Sequence, residues 1–246
     1  MQVGAAAVGA RFLGACGGDA TTEPTGFTRF TARPGTPTIT PSLGLTPLGL
    51  GSGRDGIMYV PASYTPATPA PMLILLHGAG GSGPVSWTNY YPKAEARGMI
   101  LLAPSSRSST WDFILGNVGP DVKFIDSALA HVFARCRIDA SRISLTGFSD
   151  GAGYAVALGQ GNGDVVSHVM AHSPGFYAEP DVAVGKPRFF VSHGTGDTVL
   201  SFSNSANLVV PQLVQRGYAV TFMPFDGGHE LPDAVAEASF DWFLAR

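Results

Sequence analysis

At 246 residues and 45% hydrophobic side chains, the chain is long enough to bury one large core, and its length fits one or two domains. Charged residues make up only 13% and the formal net charge is -3 with no basic block, so a nucleic-acid footprint is absent. The 32 glycines and 19 prolines make it turn-rich, yet there is no collagen-like period, no internal repeat and no apolar run long enough to span a bilayer.

The first fifteen residues are rich in Ala, Gly and Val, and Leu13-Gly14-Ala15-Cys16 resembles the lipobox that precedes the lipidated cysteine of bacterial lipoproteins. Gly17-Gly18-Asp19 and a Thr/Pro/Gly-rich stretch follow, as in a flexible tether. A signal peptide also needs a basic start, and the one early charge, Arg11, lies inside the apolar part. Two readings stay open. One is an export signal whose basic segment lies upstream of Met1, giving a protein secreted or lipid-anchored through Cys16 at the bacterial envelope. The other is an Ala-rich disordered leader on a cytoplasmic protein. Residues 1–26 are read as leader and tether, and 27–246 as a single catalytic domain. The second cysteine, Cys136, is expected to stand alone, buried at a helix end, and no Cys/His spacing suggests a metal site.

Residues 20–55 read as a tether running into one or two edge strands, with alternations such as Phe27-Thr28-Arg29-Phe30. Gly56–Val60 reads as a strand ended by Pro61, and Met72–Leu76 is the continuous apolar run of a central parallel strand. Helix signals then cover Trp87–Arg97, Asp121–Arg135, Gly151–Gln160, Asn204–Arg216 and Asp233–Leu244. Strand signals cover Met99–Ala103, Arg142–Thr146, His168–His172, Arg188–His193 and Ala219–Phe225. Alternating β and α elements imply a mainly parallel central sheet with helices on both faces, an α/β fold of the α/β-hydrolase type. No long insertion separates the elements, so no large lid is expected.

Gly147-Phe148-Ser149-Asp150-Gly151 follows one of these strands and opens a small-residue helix. G-x-S-x-G in that context is a nucleophile elbow, a strained turn that lifts the serine hydroxyl above the sheet. Acyl transfer by serine needs a base and an acid that orients it, in the chain order Ser, Asp or Glu, His. Asp197 follows a predicted core strand directly, and His229 lies in the glycine-flanked turn Gly227-Gly228-His229 before the last helix. The candidate nucleophile is therefore Ser149, the general base His229 and the orienting acid Asp197. Asp226 is a rival acid, although its place reads more simply as a loop or cap. His77, His131, His168, His172 and His193 read as hydrogen-bonded structural histidines, with His172 a candidate for the pocket border.

The developing oxyanion needs fixed donors, each worth about 3 kcal/mol. One is expected from the Asp150 backbone N–H. The other comes from Leu76-His77-Gly78-Ala79-Gly80-Gly81-Ser82-Gly83, with the Ala79 N–H first and Gly80 next. No Lys-Ser/Thr follows these glycines, which argues against a phosphate loop. Asp150 suits a helix N-terminus, and its charge beside the serine should disfavour anionic acyl groups.

Together with Ala103-Pro104-Ser105, Thr110-Trp111-Asp112 and His193-Gly194, these motifs resemble the phospholipase/carboxylesterase group of α/β-hydrolases, close to small secreted feruloyl-esterase-like and polyhydroxybutyrate-depolymerase-like esterases. The resemblance runs from about Met58 to the C-terminus. Departures are Ala152, where many relatives carry glycine, and residues 1–55, which the family does not explain. The resemblance implies cofactor-free ester hydrolysis through an acyl-enzyme. Thioesterase, peptidase, acyltransferase and polyester hydrolase use of the same triad stay open, as does a non-catalytic binding protein on this fold. Trp111, in a polar Ser-rich loop, is the preferred substrate-binding residue, with Phe148, Gly80, His172 and Phe176 beside it, and Trp87 and Phe202 within reach. The expected partner is a small-molecule ester, short-chain or aryl, and an open cleft would also admit a polymer end.

Overall fold

The computed structural model describes residues 29–51, 53–116 and 119–245. Among the described residues eight strands form one sheet: β1 (Gly44–Pro47), β2 (Gly56–Val60), β3 (Ala70–Leu76), β4 (Ile100–Pro104), β5 (Ile138–Phe148), β6 (His168–His172), β7 (Arg188–Gly194) and β8 (Val220–Phe225). Their order across the sheet is β1-β2-β4-β3-β5-β6-β7-β8. β2 pairs antiparallel with both β1 and β4 at one edge, and all other pairings are parallel.

Because side chains alternate along a strand, the all-apolar β3 feeds both faces. Met72, Ile74 and Leu76 pack into one core with Val122, Ile125 and Leu129 of α3 (Pro120–Phe133) and Ala155 of α4 (Asp150–Gly161). Leu73 and Leu75 pack into the other, with Tyr90 and Ala94 of α2 (Tyr90–Arg97) and Phe240 and Phe243 of α6 (Asp233–Leu244). The short α1 (Gly83–Ser86) precedes α2, and α5 (Val210–Gln215) precedes β8. This is the α/β-hydrolase fold.

Three expectations need correction. The helix predicted over Trp87–Arg97 begins only at Tyr90, because Trp87 closes the separate turn α1. The helix predicted over Asn204–Arg216 is a π-helical segment, Asn204–Val209, running into α5. The expected edge strand is present as β1, but the rest of the described stretch before Gly56 is coil tied to the body and not a free tether. Phe30 is buried in the core, its N–H donates to Asn162 Oδ1 at 2.7 Å, and Asp126 accepts from Thr31 and Ala32. Cys16 and the rest of the leader lie outside the described residues, while Cys136 is a free, buried cysteine just past α3. Burial pushes its thiol up to about 12, so it is inert at neutral pH.

Register sets the site. Leu76 pairs with Gly147, Phe148 with His172, His172 with Ser192 and Gly194 with Phe225, so the carboxyl ends of β3, β5, β6, β7 and β8 finish together. Open α/β sheets carry their chemistry at this edge.

Candidate active site

β5 ends at Phe148 and α4 starts at Asp150, which leaves Ser149 alone to turn the chain. It does so at φ 57° and ψ -123°, a conformation that L-residues rarely adopt, and its N–H donates to the His172 carbonyl at 3.0 Å. The flanking glycines are forced by the approach. A Cβ on Gly147 would sit 2.1 Å from the Gly151 carbonyl oxygen, and one on Gly151 would sit 2.1 Å from that of Leu76.

His229 joins the two other predicted residues. The Ser149 hydroxyl donates to His229 Nε2 at 2.9 Å, and His229 Nδ1–H donates to Asp197 Oδ2 at 2.7 Å. The Asp197 side chain is fully buried, while that of His229 keeps 14% exposure. Burial alone would raise the Asp197 carboxyl. Hydrogen bonds from His229 and from the Leu200 and Val199 amides outweigh it and hold the group below its ordinary range. The rival, Asp226, is an exposed residue, and the bond to His229 comes from Asp197.

The loop after β3 lies against the elbow: a Cβ on Gly78 would stand 3.2 Å from Ser149 Cβ. Neither the Ala79 N–H nor the Asp150 N–H has a hydrogen-bond acceptor among the described residues. Gly80 does not serve as the alternative donor, because its N–H is committed to the Ser109 carbonyl at 2.7 Å, at φ 71°. Other bonds from the same neighbouring loop clamp this segment. Ser106 N–H donates to His77 Nε2 at 3.0 Å and Trp111 Nε1–H donates to the His77 carbonyl at 2.8 Å. Burial pushes His77 below its ordinary range, consistent with an unprotonated, accepting Nε2.

A cleft of about 330 Å³ opens beside the elbow, lined by Gly78, Ala79, Trp87, Tyr90, Phe148 and Leu231 among others. Phe148 lines this cleft and lies 4.8 Å, ring to ring, from His229. Four other candidates fall elsewhere. Trp111 is fully buried, stacked on Tyr154 at 5.1 Å and tilted against His77 at 4.7 Å, so it packs in the core behind the cleft. Its loop is polar and Ser-rich, but Asp112 and Asp121 fold it inward. Asp112 accepts from the Gly119 and Asp121 amides, and Asp121 accepts from those of Arg107 and Asp112. His172 is buried beneath the elbow, paired with Ser192 at 2.8 Å, and burial lowers it to about 3, so it stays neutral. Phe176 packs over Gly153 and stacks on Phe113 at 5.6 Å. Phe202 meets Phe222 and His193 edge or face, each at 5.9 Å. Tyr90 and Leu231 are wall residues that the sequence reading missed. Leu231, two residues past His229, was within reach of it.

No protein-family model matches the chain. It is 25% identical to feruloyl esterase C of Emericella nidulans over 232 residues, covering 79% of this chain and 85% of that one. The solved structure of esterase PE8 superposes with a TM-score of 0.64 at 19% identity, over 76% of this chain and 96% of that one. The chain is an α/β-hydrolase of the esterase type. S-formylglutathione hydrolase (FrmB) from Staphylococcus aureus shares the fold at a TM-score of 0.65 and 14% identity, over 84% of this hydrolase and all (100%) of that chain.

Proposed function

We propose that this carboxylic ester hydrolase acts on short-chain or aryl esters with Ser149 as nucleophile, His229 as general base and Asp197 as the group that orients it. The observation that carries the reading is the run of bonds Ser149–His229–Asp197 beside two unengaged backbone N–H groups. The Ser149 proton passes to His229 Nε2 as Oγ attacks the ester carbon, and the carbonyl oxygen takes the negative charge. The N–H groups of Ala79 and Asp150 are the donors assigned to that oxygen. Collapse expels the alcohol, which takes the proton from His229, and leaves an acyl group on Ser149. Water then gives a proton to His229 and attacks the acyl carbon, and return of the proton to Ser149 releases the acid.

The cleft supports the substrate class. Its walls are largely apolar, from Trp87, Phe148 and Leu231, and its volume of about 330 Å³ suits an acyl chain of a few carbons or one aryl ring. The relative in Emericella nidulans is named for feruloyl esters, in keeping with an aryl group here. Hydrolysis of p-nitrophenyl acetate and butyrate at mildly alkaline pH, by wild type and Ser149→Ala, tests the assignment. Activity lost in a folded mutant supports it; equal activity in both overturns it.

Export to the cell envelope with lipid attachment at Cys16 belongs to the same reading. Mass spectrometry of the native N-terminus tests it. A lipid-modified Cys16 at the processed end is the expected result, and an unmodified Met1 ends the idea. Among the described residues no helix is long and apolar enough to cross a membrane.

A further inference from the structure

The carboxylate that orients His229 also lies against a second histidine. Asp197 Oδ2 lies 2.7 Å from His229 Nδ1 and 3.1 Å from Nε2 of His193, a β7 residue whose sequence context suggested only a structural role. Both side chains of that second pair are fully buried. His193 Nε2–H donates to the Leu200 carbonyl oxygen at 2.9 Å, so this nitrogen carries the proton and directs it at Leu200, with Asp197 Oδ2 a close neighbour. At the far side of the ring, Nδ1 lies 2.7 Å from Oγ of the buried Ser205. The Ser205 hydroxyl donates there, and the tautomer is fixed from both sides. Ser205 belongs to the π-helical segment Asn204–Val209, an irregular turn of the kind that recurs at functional sites.

The two histidines reach Asp197 from unlike supports. His229 stands on a turn flanked by Gly227 and Gly228, whereas His193 stands on a strand paired in register with Pro224 of β8. The Val199 and Leu200 amides hold Oδ1. We propose that His193 is a positioning residue. Its Nε2–H, oriented by Ser205, holds the Leu200 carbonyl and with it the turn whose Val199 and Leu200 amides grip Asp197, so that His229 meets a carboxylate already in place. This rests on the assignment of Ser149, His229 and Asp197 above. Misplacement of that carboxylate by about an ångström costs on the order of 100-fold in rate.

The test compares His193→Phe, His193→Gln and Ser205→Ala with wild type on p-nitrophenyl butyrate. Rates are taken per active site, titrated with a fluorophosphonate, and Ser149→Ala is run alongside. The expected result is a roughly 10- to 100-fold fall in kcat for His193→Phe with KM within about twofold. Gln, whose amide N–H can reach the Leu200 carbonyl, should restore most of it. Ser205→Ala should fall between, because the ring loses the partner that fixes its tautomer. Wild-type kcat in His193→Phe would overturn the proposal, and so would a His193→Gln variant as impaired as the Phe variant. If His193→Phe does not fold, the other two decide: retained kcat in Gln with a fall in Ser205→Ala supports the role, and any other pairing overturns it. A Ser149→Ala protein that stays active would instead remove the triad assignment itself.

Discussion

The two flanks of Ser149 are held in different ways. On the oxyanion side, His77 to Gly81 contributes backbone to the site and is fixed from behind by Ser106, Ser109 and Trp111, none of which belongs to the proposed chemistry. On the acid–base side, side chains form the framework: Ser205 and His193 hold the Leu200 turn, and Asp197, gripped by that turn, holds His229. The first flank should tolerate changes of side chain as long as the backbone stays put. The second should be sensitive to the identity of each donor and acceptor. The difference teaches where single substitutions act: through shape on one side, through protons on the other.

The acid–base flank should show the largest effect. Asp197→Asn preserves size but presents an amide to His229, so kcat should drop about 10⁴-fold with little change in Tm. Stopped-flow or steady-state rates with circular dichroism as the fold control would check this, and a loss under tenfold would count against the assigned acid. On the oxyanion flank, Trp111→Ala removes a fully buried ring and should cost about 3–5 kcal/mol of stability by denaturant titration. Trp111→Phe keeps an aromatic ring against Tyr154 and deletes the N–H that holds the His77 carbonyl. It should lower kcat about tenfold and weaken a phosphonate transition-state analogue by a similar factor, with KM nearly unchanged. A rise in KM alone would restore Trp111 to the substrate pocket.

Beneath both flanks, His172 provides a probe of pH. Its folded value, lowered to about 3 by burial, lies below the ordinary 6.5, so the unfolded chain takes up a proton before the folded one does. The contribution is complete above pH ~6.5 and is lost as pH falls toward the folded value. His168, lowered to about 4 by burial and by Arg188, adds in the same direction. The Tm should therefore decline between about pH 6.5 and 4, less steeply in His172→Gln, and an equal slope in both proteins would contradict this. The smallest effect is expected at Asp150, whose Oδ2 accepts from Thr110 at 2.6 Å beside the nucleophile. Asp150→Asn should improve kcat/KM for carboxylate-bearing esters by a few-fold over neutral ones, reflecting about 1 kcal/mol of relieved repulsion.

What the sequence made legible follows the same division. Ser149, Asp197 and His229 stand immediately after recognisable strand or glycine signals, so order and element context were enough to bring them together. The sheet was legible because Met72–Leu76 and its neighbours are short apolar runs that only a sheet buried on both faces accepts. Trp111 was misplaced because burial of its loop depends on Asp112 and Asp121 capping amides from each other's segments, a contact that composition does not register. The role of His193 was hidden for a similar reason. Its partner Ser205 sits in a segment whose pattern reads as ordinary helix, and only the π-helical turn brings the hydroxyl to the ring. The coil from Arg29 to Arg33 read as tether because its anchors, Asp126, Asn162 and Asp164, lie about a hundred residues away or more.

The most direct test of the central claim is to trap the acyl-enzyme analogue. The protein is reacted with a fluorophosphonate, its intact mass is measured, and the modified peptide is sequenced. One adduct per chain on Ser149, lost in Ser149→Ala and greatly slowed in Asp197→Asn, is the predicted result. An adduct on another residue, or full ester hydrolysis by a protein whose Ser149 stays unmodified, would contradict it.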